Sequence, residues 1–243
     1  MRTPVRELNY ADVRGRLGSA VERENARIVV ALGVDSVAEA VKLPPAVQVV
    51  YGLVIAPPQT PRANVAGVYM SVPVSEYLAV ARRLLPPSTR IAIMGSPQLV
   101  SLLVTEEFPQ AGIHRLATTT ELLGAVDKLA GSQAILLLPD TQLLTASSLE
   151  KIYLHSFKYN RPVLGISESS VRQGSLFALV FDSKAMGRQL GEKVRAGLQH
   201  NDSKDSPHSP PRKFNLYLNA NTAEKMKLSL PDDLLKKARK VYQ

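Results

Sequence analysis

The sequence contains no cysteine and no tryptophan, and it is poor in aromatic residues generally. The absence of cysteine from the 243 residues excludes disulfide scaffolds, thiolate metal sites and cysteine nucleophiles. Aromatic residues make up 5% of the chain, whereas hydrophobic residues as a whole make up 45%. The core must therefore be built from valine, leucine, isoleucine and alanine, a composition that suits strands covered on both faces by helices.

Histidine is also scarce, and long apolar runs are missing. The histidines stand far apart, with no HxH or HExxH motif, at His114, His155, His200 and His208. We therefore expect no metal site and no cofactor. No stretch reaches the roughly 18 apolar residues of a membrane span. Residues 1–25 also lack the apolar core and cleavage site of a signal peptide, so the chain is expected to be peripheral to a membrane at most.

The net charge of +9 does not indicate nucleic-acid binding. Residues 186–243 hold 12 Lys and Arg against 6 Asp and Glu, which accounts for +6 of that charge. Stacking aromatic residues between the basic ones are missing, so we expect no nucleic-acid partner. Catalysis has little support either, because there is no GxSxG motif, no P-loop and no GxGxxG after a strand. We therefore expect a protein that is not an enzyme.

Short β-branched runs alternate with longer amphipathic segments along the chain. Strands are expected at residues 27–32, 47–54, 65–70, 90–94, 113–116, 134–138, 162–166, 175–180 and 213–219. Helices are expected at residues 35–41, 73–85, 97–108, 118–129, 147–159, 183–198 and 231–241. This alternation predicts an α/β fold of βαβ units with parallel sheets. The carboxyl ends of the strands then share one edge of each sheet, where ligands bind in open α/β folds.

Candidate ligand-binding residues stand in the turns that follow these strands. Glycine N–H groups, hydroxyl groups and carboxylates at such turns can bind a small polar molecule. The candidates are Gly33, Asp35, Ser36, Ser96, Asp140, Thr141, Ser167, Glu168, Gly174 and Asp182. Several of them can instead cap a helix or a turn, namely Asp35, Ser36, Ser96, Asp140 and Asp182. Gly174 is expected at a tight bend, and Tyr51 and Tyr69 can form either a stacking wall or part of the core.

Five segments, taken in order along the chain, carry a resemblance to a known family. They are RIVVALGVDSVAEAV from residue 27, NVAGVYMSVPVSEYLAVARRLLP from residue 64, ILLLPDTQLLTASSLE from residue 135, RPVLGISESSVRQGSLFALVFDSKAMGRQLGEKVRAGL from residue 161, and FNLYLNANTAEKMKLSLPDDLL from residue 214. Together they resemble the ABC-transporter substrate-binding family whose known members bind tryptophan, tyrosine or phenylalanine.

The resemblance implies a type I periplasmic-binding-protein fold, with two Rossmann-like lobes that have parallel sheets and are joined by crossing hinge strands. It assigns residues 1–68 and 176–200 to lobe 1 and residues 69–175 to lobe 2, with crossings at residues 64–73 and 166–175. Residues 201–212 are polar and rich in proline and serine, so by composition we expect a flexible loop there. Residues 213–243 are expected to form a strand and helix near the hinge.

The resemblance also implies a function, a partner and a location. The expected protein is the solute-binding component of an ABC uptake system. It binds a small molecule, such as an aromatic amino acid, in an inter-lobe cleft and presents it to an ABC permease. The expected location is periplasmic or otherwise extracytoplasmic, with the cytoplasm as the alternative because a signal peptide is missing.

Two departures from the family pattern keep other functions open. The family begins with a further strand and helix, so lobe 1 is expected to lack its first strand, through a start placed too far downstream or a truncated paralogue. Residues 5–8 would be at most the second strand of the family. The chain has Ile55-Ala56-Pro57 where the family has Asp-Pro, so one acid is lost. The alternatives are a ligand-sensing relative and a degenerate paralogue that acts as a protein-interaction module.

Overall fold

The computed structural model describes residues 5–129, 131–199 and 206–243. Their strands are β1 (Ile28–Leu32), β2 (Gln48–Gly52), β3 (Val65–Val68), β4 (Ile91–Gly95), β5 (Ala111–Arg115), β6 (Ala134–Leu137), β7 (Val163–Gly165), β8 (Phe177–Phe181), β9 (His208–Ser209), β10 (Phe214–Asn219) and β11 (Lys240–Tyr242). The helices are α1 (Tyr10–Val13), α2 (Leu17–Arg23), α3 (Val34–Ala40), α4 (Val74–Leu84), α5 (Pro97–Leu103), α6 (Thr119–Asp127), α7 (Ala146–Lys158), α8 (Glu168–Gln173), α9 (Ser183–Leu198), α10 (Ala220–Lys225) and α11 (Asp232–Lys237).

The strands form two sheets, and most pairs are parallel. The smaller sheet has the order β1-β2-β3-β9, with every pair parallel. The larger sheet has the order β11-β10-β8-β7-β6-β4-β5, in which only the β10–β8 pair is antiparallel. The predicted α/β fold with two parallel sheets is confirmed.

Burial follows the position of each strand in its sheet. Every residue of β4 and β6 is buried, because these central strands of the larger sheet are apolar on both faces. Helices α6 and α7 contribute to a core cluster on this sheet that includes Leu122, Val126 and Ile152. In the smaller sheet β2 is largely buried, whereas β1 at the edge has exposed residues.

The chain divides into two compact units. Unit 1 comprises Met1–Met70 and Ser183–Arg212, and unit 2 comprises Ser71–Asp182 and Lys213–Gln243. Strand β8 therefore belongs to unit 2, where it pairs with β7 and β10, and the expected assignment of residues 176–182 to lobe 1 is wrong. The chain also passes between units at Asp182–Ser183 and at Arg212–Lys213, not at residues 166–175. Pairing partners on both sides keep β8 in the larger sheet.

Several element boundaries differ from the expected ones for local reasons. Helix α5 ends at Leu103 rather than at residue 108, since Val104 leaves the helical region with φ −100° and ψ 83°. The predicted C-terminal helix is divided into α11 and the strand β11, which pairs with β10. Helices α8 and α10 were not predicted, because six residues are too few to show a helical repeat of apolar positions. Residues 5–8 form no strand.

The expected loop at residues 201–212 is only partly within the described residues. Residues 201–205 lie outside them, whereas His208 and Ser209 form β9 and pair with Gly67 and Val68. This two-residue strand has no hydrophobic alternation, so the sequence pattern did not predict it.

Candidate functional site

The larger sheet brings the carboxyl ends of five parallel strands, β5, β4, β6, β7 and β8, to one edge. Gly95 of β4 lies opposite Arg115 of β5, and Met94 of β4 lies opposite Leu137 of β6. One or two residues beyond these pairs, the strand-to-helix turns therefore stand side by side along the edge. The polar residues of those turns are the candidates in unit 2.

Ser96 follows β4 and occupies the N-cap position of α5, but its side chain makes no capping hydrogen bond. Its carbonyl oxygen accepts the N–H of Val100 at 2.9 Å, and Pro97 fills the first helical position. The half-buried Ser96 hydroxyl group is therefore not used by the helix, and the capping alternative for this side chain is wrong.

Arg115 is a candidate that the sequence reasoning missed. It is the last residue of β5, and its side chain is exposed. It lies opposite Gly95 of β4, and Gly95 directly precedes Ser96. A guanidinium group and a hydroxyl group on adjacent strand ends form a donor set suited to a carboxylate. The signal in the sequence was a cation near the end of the expected strand at residues 113–116, which was overlooked because candidates were sought only in the turns after strands.

Asp140 follows β6 and stabilises its own turn. Its Oδ1 atom accepts the N–H groups of Gln142 at 2.9 Å and Leu143 at 3.2 Å. The turn-capping alternative for Asp140 is therefore correct for this oxygen, and Oδ2 is the atom left for a ligand. The neighbouring Thr141 is exposed in the same turn.

Ser167 and Glu168 follow β7, and both side chains have structural partners. Ser167 Oγ accepts the N–H of Ser170 at 3.0 Å, and Ser170 Oγ accepts the Ser167 N–H at 3.1 Å, which forms a capping box at α8. The Glu168 carboxylate accepts a hydrogen bond from Tyr242 and lies 3.8 Å from Lys240 Nζ. Glu168 thus links α8 to β11, although the sequence suggested a ligand or hinge contact.

Gly174 and Asp182 lie on either side of β8. Gly174 follows α8 with φ 131°, and a Cβ atom there would lie 3.0 Å from Phe157 Cε2, so the expected tight bend is present within unit 2. Asp182 follows β8, where its N–H donates to the Lys213 carbonyl and its Oδ2 accepts from Asn215 Nδ2 at 3.4 Å.

The smaller sheet presents Gly33, Asp35 and Ser36 at its own carboxyl edge. Gly33 has φ 92° and donates its N–H to the Gly52 carbonyl at 3.0 Å. This N–H is therefore used in the hydrogen bonding between β1 and β2. The Ser36 hydroxyl group donates to the backbone carbonyls of Leu32 or Gly33 at 2.7 and 3.0 Å, and its proton is therefore committed. Asp35 is exposed in the first turn of α3, without a capping hydrogen bond.

Tyr51 and Tyr69 belong to the core of unit 1 and form no stacking wall. Their exposed fractions are 0% and 6%. The Tyr51 hydroxyl group lies 3.0 Å from His208 Nδ1, within hydrogen-bonding distance, and burial raises the pKa of Tyr51. Burial and then Lys193 lower the pKa of His208, which favours the neutral imidazole.

Other features of the described residues do not add to this site. A cavity of about 290 Å³ in unit 2 is lined by Leu78, Leu85, Ile91 and Phe108 among others, at the amino ends of β4 and β5. The described residues hold no group of three His, Asp or Glu placed to bind a metal ion. None of the described helices is both long and apolar enough to cross a membrane.

The family model of ABC transporter substrate binding proteins matches residues 37–242 of the chain. The chain belongs to this family. The resemblance inferred from the five segments is therefore confirmed. A search of curated proteins finds no match to the chain.

Solved structures show the same fold for this substrate-binding protein. A conserved domain protein from Vibrio cholerae is 20% identical and has a TM-score of 0.63, over 96% of this chain and 84% of its own. An ABC domain from Streptococcus pneumonia, solved in complex with L-Trp, is 18% identical with a TM-score of 0.65 over the same shares. A ligand-free, open substrate-binding protein with adhesive properties from Clostridium difficile is 17% identical, with a TM-score of 0.64 over 93% of this chain and 82% of its own. The periplasmic-binding-protein-like fold is thus confirmed.

The resemblance predicts an acid after β2 that this chain lacks. Leu53, with φ 55°, follows the strand, and Ile55 stands near the position where the resemblance places an acid. The exposed acid at the carboxyl edge of this sheet is instead Asp35, which follows β1.

Proposed function

We propose that this chain binds a small zwitterionic solute through the carboxyl-edge turns of its larger sheet and presents it to an ABC permease. Membership in the substrate-binding family supports the solute-binding part of this proposal. The observation that carries the choice of ligand is the order of charged and polar groups along the edge of the larger sheet.

Opposite charges stand at separate places along that edge. Arg115, at the end of β5, and Ser96, directly after the adjacent β4, offer donors to a carboxylate. Asp140, in the turn after the next strand, keeps Oδ2 for an ammonium group, because Oδ1 accepts two backbone N–H groups. A free amino acid carries both charges on one carbon atom, and charge-assisted hydrogen bonds to both ends would orient it.

Tryptophan is the first ligand to test. The solved Streptococcus relative holds L-Trp, and we extend that ligand class to this chain as a proposal only. Binding needs no chemical step, so we assign no catalytic residue. Delivery to a permease places the proposed working location outside the cytoplasm.

Isothermal titration calorimetry of the purified protein against L-Trp, other amino acids and indole tests the proposal. We expect a saturable response to at least one amino acid and none to indole, which lacks both charges. Arg115→Gln should weaken binding at least tenfold, because it removes the guanidinium donor.

Arg90→Gln is the matched control. Arg90 is an exposed arginine directly before β4, at the opposite edge of the same sheet, so this change should leave the affinity unaltered. A folded protein that binds no amino acid, or equal losses in both arginine variants, would contradict the proposal.

A further inference from the structure

The cavity of about 290 Å³ in unit 2 lies at the amino ends of β4 and β5, on the edge of the larger sheet opposite the candidate site. Its buried wall is apolar and consists of Leu78, Ala81, Leu85 and Ile91. The half-buried Phe108 adds an aromatic ring. An apolar wall with a few polar groups beside it is typical of small-molecule sites. We call this space and its lining residues the amino-edge cavity.

Prolines restrict the mouth of the amino-edge cavity. The exposed residues Pro86, Pro87 and Pro109 line it, in the loops that precede β4 and β5. The ring of a proline fixes its φ angle, so these loops lose little conformational freedom when a ligand enters. The cavity is therefore largely preformed, which lowers the cost of binding.

One cation stands at the rim of the amino-edge cavity. Arg82 is the only charged residue among the described residues that line it, and its side chain is exposed. Within the described part of the chain Arg82 forms no ion pair, whereas the adjacent Arg83 lies 2.5 Å from Asp233. The Arg82 guanidinium group is therefore available to an anion whose apolar part lies in the cavity. Thr89 and Gln110 add a hydroxyl group and an amide to the lining.

The volume of the amino-edge cavity limits the apolar part of such an anion. An apolar protein cavity of about 150 Å³ can bind benzene, and this cavity has about twice that volume. Two fused aromatic rings therefore fit. The exposed acids Glu106 and Glu107 precede Phe108 but do not line the cavity.

We propose that the amino-edge cavity binds a bicyclic aromatic carboxylate, with the rings against Leu78, Leu85 and Phe108 and the carboxylate at Arg82. This site is separate from the solute site proposed at the carboxyl edge. No carboxylate stands among its described lining residues, so nothing there pairs with an ammonium group. The cavity should therefore select monoanions over zwitterions such as free amino acids.

Isothermal titration calorimetry with 1-naphthaleneacetate tests the proposal. We expect saturable binding that is about fivefold or more tighter than binding of the neutral analogue 1-naphthaleneethanol. Arg82→Gln should remove this difference by weakening binding of the acid and leaving binding of the alcohol unchanged.

Arg83→Gln is the matched control, because Arg83 is adjacent on α4 but does not line the cavity. It should leave the affinity for 1-naphthaleneacetate unaltered. A folded wild-type protein that does not bind this probe, equal affinities for the acid and the alcohol, or equal losses in both arginine variants would overturn the proposal.

A cavity-filling variant tests the location independently of charge. Ala111 is half-buried at the start of β5 and lines the cavity. Ala111→Phe should occupy the space and abolish binding of both the acid and the alcohol. Ala146→Phe, at an exposed position at the start of α7, should bind both as the wild type does. Circular dichroism checks folding, and binding that survives in folded Ala111→Phe contradicts the proposal.

Arg115→Gln separates this site from the carboxyl edge. Loss of 1-naphthaleneacetate binding in Arg115→Gln but not in Arg82→Gln would place the probe at the carboxyl edge and overturn the proposal. Failure of L-Trp to bind would contradict the proposed function alone, since the test of the amino-edge cavity uses no amino acid.

Discussion

The hydroxyl groups of Ser96 and Ser167 have different surroundings at the same edge of the larger sheet. Both residues precede a helix, and both were candidates for ligand contact or helix capping. Ser167 caps α8 and exchanges hydrogen bonds with Ser170. Ser96 makes no capping bond, although its carbonyl accepts the N–H of Val100 just as the Ser167 carbonyl accepts that of Val171. Residue type and spacing did not separate these roles.

This difference predicts opposite effects of the two alanine substitutions. Ser167→Ala should lower the free energy of unfolding by about 1 kcal/mol, the usual loss for an N-cap, and leave ligand affinity unchanged. Ser96→Ala should weaken ligand binding with little effect on stability. Urea denaturation and calorimetric titration of both variants measure these changes, and reversed results would exchange the two assignments.

At the scale of elements, β1 and β4 show that similar apolar strands acquire different surroundings. Both are short and rich in isoleucine, valine or alanine, but β4 is buried throughout, whereas β1 is partly exposed at an edge. Neighbouring strands and covering helices decide this difference. The neighbouring strand also restricts β3, because Tyr51 of β2 leaves no space for a side chain at Gly67.

Gly67 and Gly187 are predicted to respond oppositely to alanine. A Cβ atom at Gly67 would lie 2.5 Å from Cγ of the buried Tyr51, so Gly67→Ala should cost about 1–3 kcal/mol of stability through overpacking. A Cβ atom at Gly187 of α9 meets nothing within 4 Å, so Gly187→Ala should stabilise by about 0.5–1 kcal/mol through helix propensity. Urea denaturation measures both, and a shift in the same direction for both variants contradicts this interpretation.

At the scale of the whole molecule, a buried histidine in unit 2 and a half-buried one in unit 1 connect stability to pH. His155 on α7 is 9% exposed, its Nδ1 atom has no hydrogen-bond partner among the described residues, and its ring lies 4.5 Å from that of Tyr159. Burial and then Arg161 lower the pKa of His155, although Asp127 opposes this. In unit 1, burial also lowers the pKa of His208.

These shifts predict that stability falls on mild acidification. Both histidines are favoured as neutral groups in the folded state, whereas in the unfolded chain they take up protons near the ordinary pKa of 6.5. Their contribution is complete above 6.5 and is lost as the pH falls through their lower folded values. Urea denaturation at about pH 7.5 and about pH 5.5 should show the loss. His155→Leu should reduce it, and an unchanged pH dependence in that variant would contradict the assignment.

The fold was largely predictable from the sequence, and the candidate site only in part. Strong apolar runs such as residues 134–138 identified central strands, because full burial requires an unbroken apolar segment. Ser96 and Asp140 were placed correctly at the carboxyl edge. Arg115 was missed, and Glu168 was expected to make a ligand or hinge contact although it contacts β11. Contacts between residues far apart in sequence leave no periodic signal.

The sequence by itself determined the α/β class, the order of most elements and the substrate-binding family, because these depend on local apolar patterns and ordered motifs. Only the tertiary structure decided that β8 joins the larger sheet, that Glu168 is held by Tyr242 and Lys240, and that β1 pairs with β2. Strand pairing joins segments distant along the chain. Which strands pair depends on the other strands available to each edge, and this cannot be inferred from one segment alone.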